Sequence, residues 1–314
     1  MRENALKIKP DGEGETVINS YVISVLTSVG ICILPVLGLL LITGMTGMFT
    51  LAQGSMVCIG AYIAAIVSTR LGFPLPLSIV TATIGTALVA CLLGMAVLKL
   101  KQHYFALATF LFAQFINGVL TLTTSLTGGA SGYVGVPIGV KFGTVWLTVL
   151  GAVILVAYLK STNFGRKCYS IRDDALAAEA LGIKIYQHKV LVYTLGSALA
   201  GLAGALYVHY MSCIDPATFN WMKSAEWLII VFFGGRSSLT GTLISASILL
   251  VLPEVLRSAQ EMRTIIYCVL ILLVLSFKPT GMLGDSEPPF GKWAMGFARF
   301  ARGLFKKRGG ERNG

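Results

Sequence analysis

No aspartate or glutamate occurs between Glu15 and Asp173. Carboxylates cost roughly 2.5–3.5 kcal/mol each at the centre of a membrane helix, so a run this long without one reads as membrane. The gap also argues against proton-coupled transport, which needs a membrane carboxylate to load. Other absences are equally informative. The six cysteines (Cys32, Cys58, Cys91, Cys168, Cys213, Cys268) are scattered and form no C-x-x-C pair. Most sit in apolar runs and read as packing residues rather than disulfides or metal ligands. His103, His188 and His209 are isolated, so no metal site is expected. There is no Walker A sequence, no G-x-S-x-G and no H-E-x-x-H. Nothing points to catalysis within this chain.

What is present is hydrocarbon. Hydrophobic residues make up 55% of the 314 and charged residues only 12%, against about 25% charged in soluble domains. The mean hydropathy is +0.78. The net charge of +11 is therefore no nucleic-acid footprint. The mixed-charge N-terminus precedes an apolar run too long for a signal peptide, with no cleavage site after it. A spanning helix needs about 20 apolar residues. Six runs answer: 17–42, 77–98, 104–123, 142–159, 190–211 and the short 264–277.

Lys and Arg concentrate in residues 1–16, 99–101, 160–189 and the tail from Lys278. The positive-inside rule places all four in the cytoplasm. A parity problem follows. Residues 43–76 must then start and end outside, yet hold one apolar stretch interrupted at Gln53-Gly54-Ser55. Residues 225–256 repeat the pattern, interrupted at Gly234-Gly235-Arg236-Ser237-Ser238. Each is too short for two comfortable crossings, so both are expected to be re-entrant. Such breaks at membrane depth are tolerated only inside protein or beside water. Two breaks in register, in segments 17–98 and 190–278 of the same orientation, suggest a pseudo-repeat around a translocation path. Its candidate residues are Thr46, Gln53, Gly54, Ser55, Gly234, Gly235, Arg236 and Ser237.

The longest internal cytoplasmic loop reads STNFGRKCYSIRDDALAAEALGIKIYQHK, residues 161–189. Asp173 is a candidate N-cap and Gly182 a C′ stop, giving a short helix over 174–181. Arg172, Asp174, Ala177, Ala178, Glu179 and Leu181 belong to the same stretch. A short capped helix at the membrane surface suits either docking into a groove on a partner or lying on headgroups.

These residues carry a resemblance. The run IRDDALAAEALGI after Phe164-Gly165-Arg166 resembles the cytoplasmic loop of branched-chain amino acid ABC importer permeases of the LivM type. TGMTGMFTLAQGSMVCIGAY (43–62), SLTGGASGYVGVP (125–137), ALAGLAGALYVHY (198–210), 234–241 and KPTGMLG (278–284) resemble further family segments in order. The similarity covers roughly 20–284. It implies an all-α polytopic membrane protein of the type II, vitamin B12-importer-like fold. It implies that a second related permease subunit, two cytoplasmic ATPases carrying ATP and Mg, and a periplasmic binding protein complete the assembly. The family's coupling helix would fall on Asp173–Gly182. The solute would be leucine, isoleucine or valine, although related permeases carry urea, amides or aromatic acids. No cofactor is expected in this chain. Gln53 and Arg236 stand where side chains vary within the family and would tune the path.

The domain plan is then a cytoplasmic segment 1–16, a transmembrane domain 17–284 in the inner membrane, and a tail 285–314. Trp293, Phe297, Phe300 and Leu304 share one helical face of the tail, with Lys292, Arg299, Arg302 and Lys306 on the other. This is a basic amphipathic helix suited to anionic lipid. The ridges Gly196/Ala200/Gly204 and Ser197/Gly201/Ala205 allow close helix approach, within the chain rather than at a subunit seam. The competing classes are a stand-alone channel or secondary transporter and a non-transporting membrane scaffold.

Overall fold

A computed structural model of the chain describes residues 13–100, 102–255 and 269. The expected span 264–277, the tail 285–314 and most of 1–16 lie outside the described residues. The described chain is helical almost throughout. Helix α1 (Glu13–Leu39) runs into a π-helical turn (Leu40–Met45). Then come α2 (Gln53–Arg70), α3 (Leu75–Val97) and α4 (Gln102–Leu122). The short α5 (Thr124–Thr127) precedes β1 (Tyr133–Val134) and α6 (Phe142–Ser161). Helices α7 (Asn163–Asp173) and α8 (Ala175–Ala180) lead to α9 (Ile185–Met211). Strand β2 (Cys213–Ile214) and helices α10 (Trp221–Gly234) and α11 (Leu239–Val255) follow.

Among the described residues, five helices are long and apolar enough to cross a membrane: 21–45, 75–97, 103–122, 142–161 and 185–211. These match five of the expected spans within a few residues. Their packing is inverted relative to a water-soluble bundle. On α3 the buried row is Ser78, Ala82, Thr86, Ala90 and Gly94. The exposed row is Leu77, Val80, Ile84, Leu88 and Leu92. Small residues face the bundle because close backbone approach, not hydrophobic burial, drives helix association in lipid.

Helix α9 is the hub. A Cβ on Gly204 would lie 2.0 Å from the Val57 carbonyl of α2. A Cβ on Gly196 would lie 2.6 Å from the Gly38 carbonyl of α1, and one on Gly201 would meet Thr86 of α3 at 2.4 Å. Both small-residue ridges therefore pack within the chain, as expected.

The bundle has two ends. Lys160, Arg172, Gly44 and the α10–α11 turn meet at one, here the basic end. At the opposite end β1 pairs antiparallel with β2 (Tyr133 opposite Ile214), and Arg70 donates to the Ser125 carbonyl at 2.8 Å. Tyr21 donates to Glu254 there, beside Tyr210.

Four expectations are corrected by this geometry. First, α1 begins at the opposite end from the 160–189 loop, because it is continuous from Glu13 to the π turn that touches Arg172. Second, 43–76 is not re-entrant: Thr43 lies at the basic end and α3 starts at the other. Gln53–Ser55 is the first turn of the continuous helix α2, and the break falls at 46–52. Third, α1 and α9 are antiparallel, with Gly38 against Gly196 and Tyr21 near Tyr210. Segments 17–98 and 190–278 thus open in opposite directions, and the same-orientation repeat fails. Fourth, the second break is a hairpin turn at 235–238 that reaches the basic end, rather than turning at mid-depth.

Candidate functional site

The sequence-proposed path residues divide into two groups. Gln53, Gly54 and Ser55 sit at mid-depth, where α2 starts. The Gln53 side chain is 1% exposed. Its Nε2 donates to the Gly196 carbonyl at 3.0 Å and the Pro35 carbonyl at 3.4 Å, tying α2 to α9 and α1. Gly54 N–H donates to Ser224 Oγ at 2.7 Å, and its Cα faces the Asn220 carbonyl. Asn220 in turn caps α10 through Met222 and Lys223 N–H at 3.0 and 3.2 Å. Two helix starts therefore meet inside the bundle, both capped by protein side chains. This is how a broken backbone survives without water.

The segment joining the π turn to α2 is held in the same way. Leu51 N–H donates to Thr109 Oγ1 of α4 at 3.2 Å, and Thr46 Oγ1 donates to the Ile42 carbonyl at 2.7 Å. Gly47 turns the chain at φ +71°, a backbone conformation that side chains disfavour.

Thr46 and the Gly234–Ser237 group gather at the basic end. Gly234 packs on Gly241, where a Cβ would lie 2.6 Å from the backbone. Gly235 has φ +109°, which lets the hairpin turn. Arg172, the penultimate residue of α7, is the centre of this group. Its guanidinium donates to the Gly44 carbonyl at 2.9 Å and to Ser237 Oγ, and pairs with Asp173 at 3.1 Å. Lys160 donates to the Ser237 carbonyl. Arg236 lies over the Phe232 ring and reaches the Gly47 carbonyl at 3.4 Å. Both interruptions thus end on one arginine. A cavity of about 700 Å³ opens beside it, with Thr46, Arg172, Lys189 and Arg236 on its wall.

Beyond Arg172 stands the short helix. Asp174, not Asp173, is its N-cap: the Asp174 carboxylate accepts from Leu176 and Ala177 N–H at 2.9 and 3.1 Å. Asp173 closes α7 instead, because 163–173 form a separate helix capped by Thr162 rather than a loop. Gly182 has φ +76° and Ile183 N–H reaches the Ala178 carbonyl at 3.1 Å, a C-terminal cap of the expected kind. Ala178 is fully buried and anchors α8. Ala177, Glu179 and Ala180 are exposed, and Leu176 and Leu181 are 80% and 78% exposed.

Sequence reasoning missed Lys160, Thr109, Asn220 and Ser224. Each acts across a long sequence separation or as a local cap, and none stands in a conspicuous motif. The five described cysteines are free, with Cys58 and Cys168 buried. Burial pushes the Cys168 thiol of α7 up to about 12.

Five apolar helices of crossing length among the described residues, with two interrupted segments packed inside them, are those of a multi-pass membrane protein. Residues 21–275 match the family of the branched-chain amino acid transport system, permease component, and the chain belongs to it. Among relatives, LivM of Salmonella typhimurium, a high-affinity branched-chain amino acid transport system permease protein, is 27% identical, over 80% of this chain and 67% of its own length. BraD of Pseudomonas aeruginosa, named for the same system, is 25% identical over 80% of this chain and 91% of its own. The ribose import permease protein RbsC of Escherichia coli is 27% identical over 74% and 77%. No solved structure matches.

Proposed function

We propose that this chain is the membrane-spanning subunit of an ATP-driven importer, moving branched-chain amino acids handed over by a periplasmic binding protein. It pairs with a second, related permease subunit. Hydrolysis of Mg-ATP takes place on two separate ATPases. The basic end faces the cytoplasm of a bacterial inner membrane, in keeping with the Lys and Arg of the 160–189 loop.

The observation that carries this reading is the α7–α8 element. It presents Leu176, Ala177, Glu179 and Leu181 outward, while Arg172 at its root grips both interrupted segments. A partner moving α8 would pull on Gly44 and Ser237 together. That is the arrangement expected of a coupling helix. The path residues Thr46, Gly234, Gly235, Arg236 and Ser237 then form the gate at the cytoplasmic end, with Gln53, Gly54 and Ser55 as the joint it swings on.

The test is pull-down of the ATPases beside solute uptake. Ala177→Trp should overfill the docking groove, and Glu179→Arg should set like charge against an ATPase arginine. Both should leave membrane insertion normal and abolish ATPase co-purification and uptake. Wild-type behaviour of both variants would reduce α8 to a surface connector. The ribose-named relative favours one second reading, a sugar as the solute; uptake competition between leucine and ribose separates the two.

A further inference from the structure

We infer that the cavity beside Arg172 is a binding site for a phosphate-bearing anion, a ligand distinct from the transported solute. The cavity holds about 700 Å³, inside the usual range for small-molecule pockets of roughly 300–1,000 Å³. It opens at the basic end, where the end of α3, the first turn of α4, α7, the start of α9 and the α10–α11 hairpin converge.

Three cations reach its wall from three of these elements: Arg172 from α7, Lys189 from α9 and Arg236 from the hairpin. Among the described residues of that wall, Asp173 is the single carboxylate, and it already pairs with Arg172 at 3.1 Å. The other two cations have little to hold. Arg236 lies over the Phe232 ring and reaches the Gly47 carbonyl at 3.4 Å, although a guanidinium carries five N–H donors. Lys189 is half-buried and makes no hydrogen bond or ion pair among the described residues. A cation in a recess gives up water without gaining a partner, so the wall is completed by an anion from outside the chain.

The chemistry selects the class of that anion. A phosphate group presents several oxygens around one centre, so guanidinium and ammonium groups can take different oxygens at once, and arginine matches it bidentately. Phosphate alone fills only a small part of the cavity. Much of the remaining wall is apolar, with Leu98, Leu100, Phe105 and Ile171. That suits a phosphate carried on an apolar body, and basic pockets between membrane helices on the cytoplasmic side take anionic headgroups in this way. A zwitterionic headgroup would bring its own cation against Lys189 and Arg236. An anionic phospholipid therefore fits better than either free phosphate or a choline lipid.

The experiment uses the complete importer in nanodiscs. Leu100→Cys, at a wall position 48% exposed in the wild type, supplies the one thiol of a cysteine-free background and is labelled with an uncharged maleimide. Labelling should be several-fold slower in discs containing phosphatidylglycerol than in discs of phosphatidylcholine alone. Millimolar inorganic phosphate, added to the phosphatidylcholine discs, separates the two sources. No effect assigns the site to the lipid headgroup, and equal slowing assigns it to a free phosphate. Equal labelling under all of these conditions overturns the site. K189M and R236Q should each remove most of the protection. K167M takes one charge from the exposed surface of α7, away from the cavity wall, and should keep it. Protection that survives K189M or R236Q, or that K167M also removes, would reduce the effect to general surface charge and overturn the proposal. Uptake does not enter the readout, so the result stands apart from the importer reading.

Discussion

The two interruptions look alike in sequence and differ in the fold. The first, 46–52, joins helix ends at different depths: the π turn stops at the basic end, and α2 starts at the middle. The second, 235–238, is a tight hairpin between two helices. Neutral side chains hold the first, with Thr109 and Ser224 accepting from backbone N–H groups and Gln53 donating to the Gly196 carbonyl, whereas the cations Arg172 and Lys160 donate to the second. A gap in hydropathy says that backbone groups must find partners. It does not say which way the chain leaves the gap. Direction comes from the partners, and these are distant.

The comparison can be broken most severely at Gly38. A Cβ there would lie 2.3 Å from the Gly196 carbonyl and 2.5 Å from Gln53 Nε2. Gly38→Val should push α1 off α9, cost on the order of 3 kcal/mol or more, and abolish folded protein in detergent size-exclusion profiles. Gly143→Ala, where nothing lies within 4 Å, should be silent. A well-folded Gly38→Val protein would mean that the mid-depth joint is loose.

Next in size is Arg172→Gln. It removes charge-assisted hydrogen bonds to both segments, each worth about 1.5–3 kcal/mol. Uptake should fall by about tenfold or more while ATPase co-purification persists. Arg172→Lys should recover only part, since an ammonium lacks the guanidinium fork. Unchanged uptake in Arg172→Gln would separate the two interruptions mechanically.

The difference in direction has a labelling signature. On a cysteine-free background, Thr46→Cys should react from the basic-end side and Leu71→Cys, 60% exposed in the wild type, from the other. Same-side labelling would restore the re-entrant reading of 43–76.

The smallest effect concerns how firmly α7 sits at that end. Burial holds the Cys168 thiol near 12, up from 9.0. The raised value favours the neutral thiol, so thiolate is scarce below about pH 10. At pH 8 Cys168 should alkylate far more slowly than exposed Cys213. Equal rates, read by mass spectrometry, would show α7 lifting away from the bundle.

Much of the fold was legible. Five spans follow from apolar run length alone, and α8 from its acidic cap and Gly182. The direction of α1 was not. Only contacts such as Arg172 to Gly44, 128 residues apart, fix it. Helix α7 carries an apolar stripe, Phe164, Cys168 and Ile171 at i, i+4 and i+7, but it is only eleven residues long and sits in a loop rich in Lys and Arg. The Asp173/Asp174 ambiguity needed geometry: either carboxylate suits a cap, and the end of α7 picks the second.

Helix α2 carries a consequence for how the chain is made. Gln53 in its first turn finds its acceptor on Gly196, 143 residues later. Gly60 and Val57 likewise rest on Gly201 and Gly204 of α9. During synthesis α2 therefore emerges from the ribosome long before the surface that stabilises it exists. A chain stalled before α9 is expected to hold α2 less firmly than the complete chain does, because Gly60 and Val57 then lack Gly201 and Gly204. Membrane integration of this protein is consequently not a procession of independent helices but a delayed capture, with α9 as the late arrival that draws an earlier segment in.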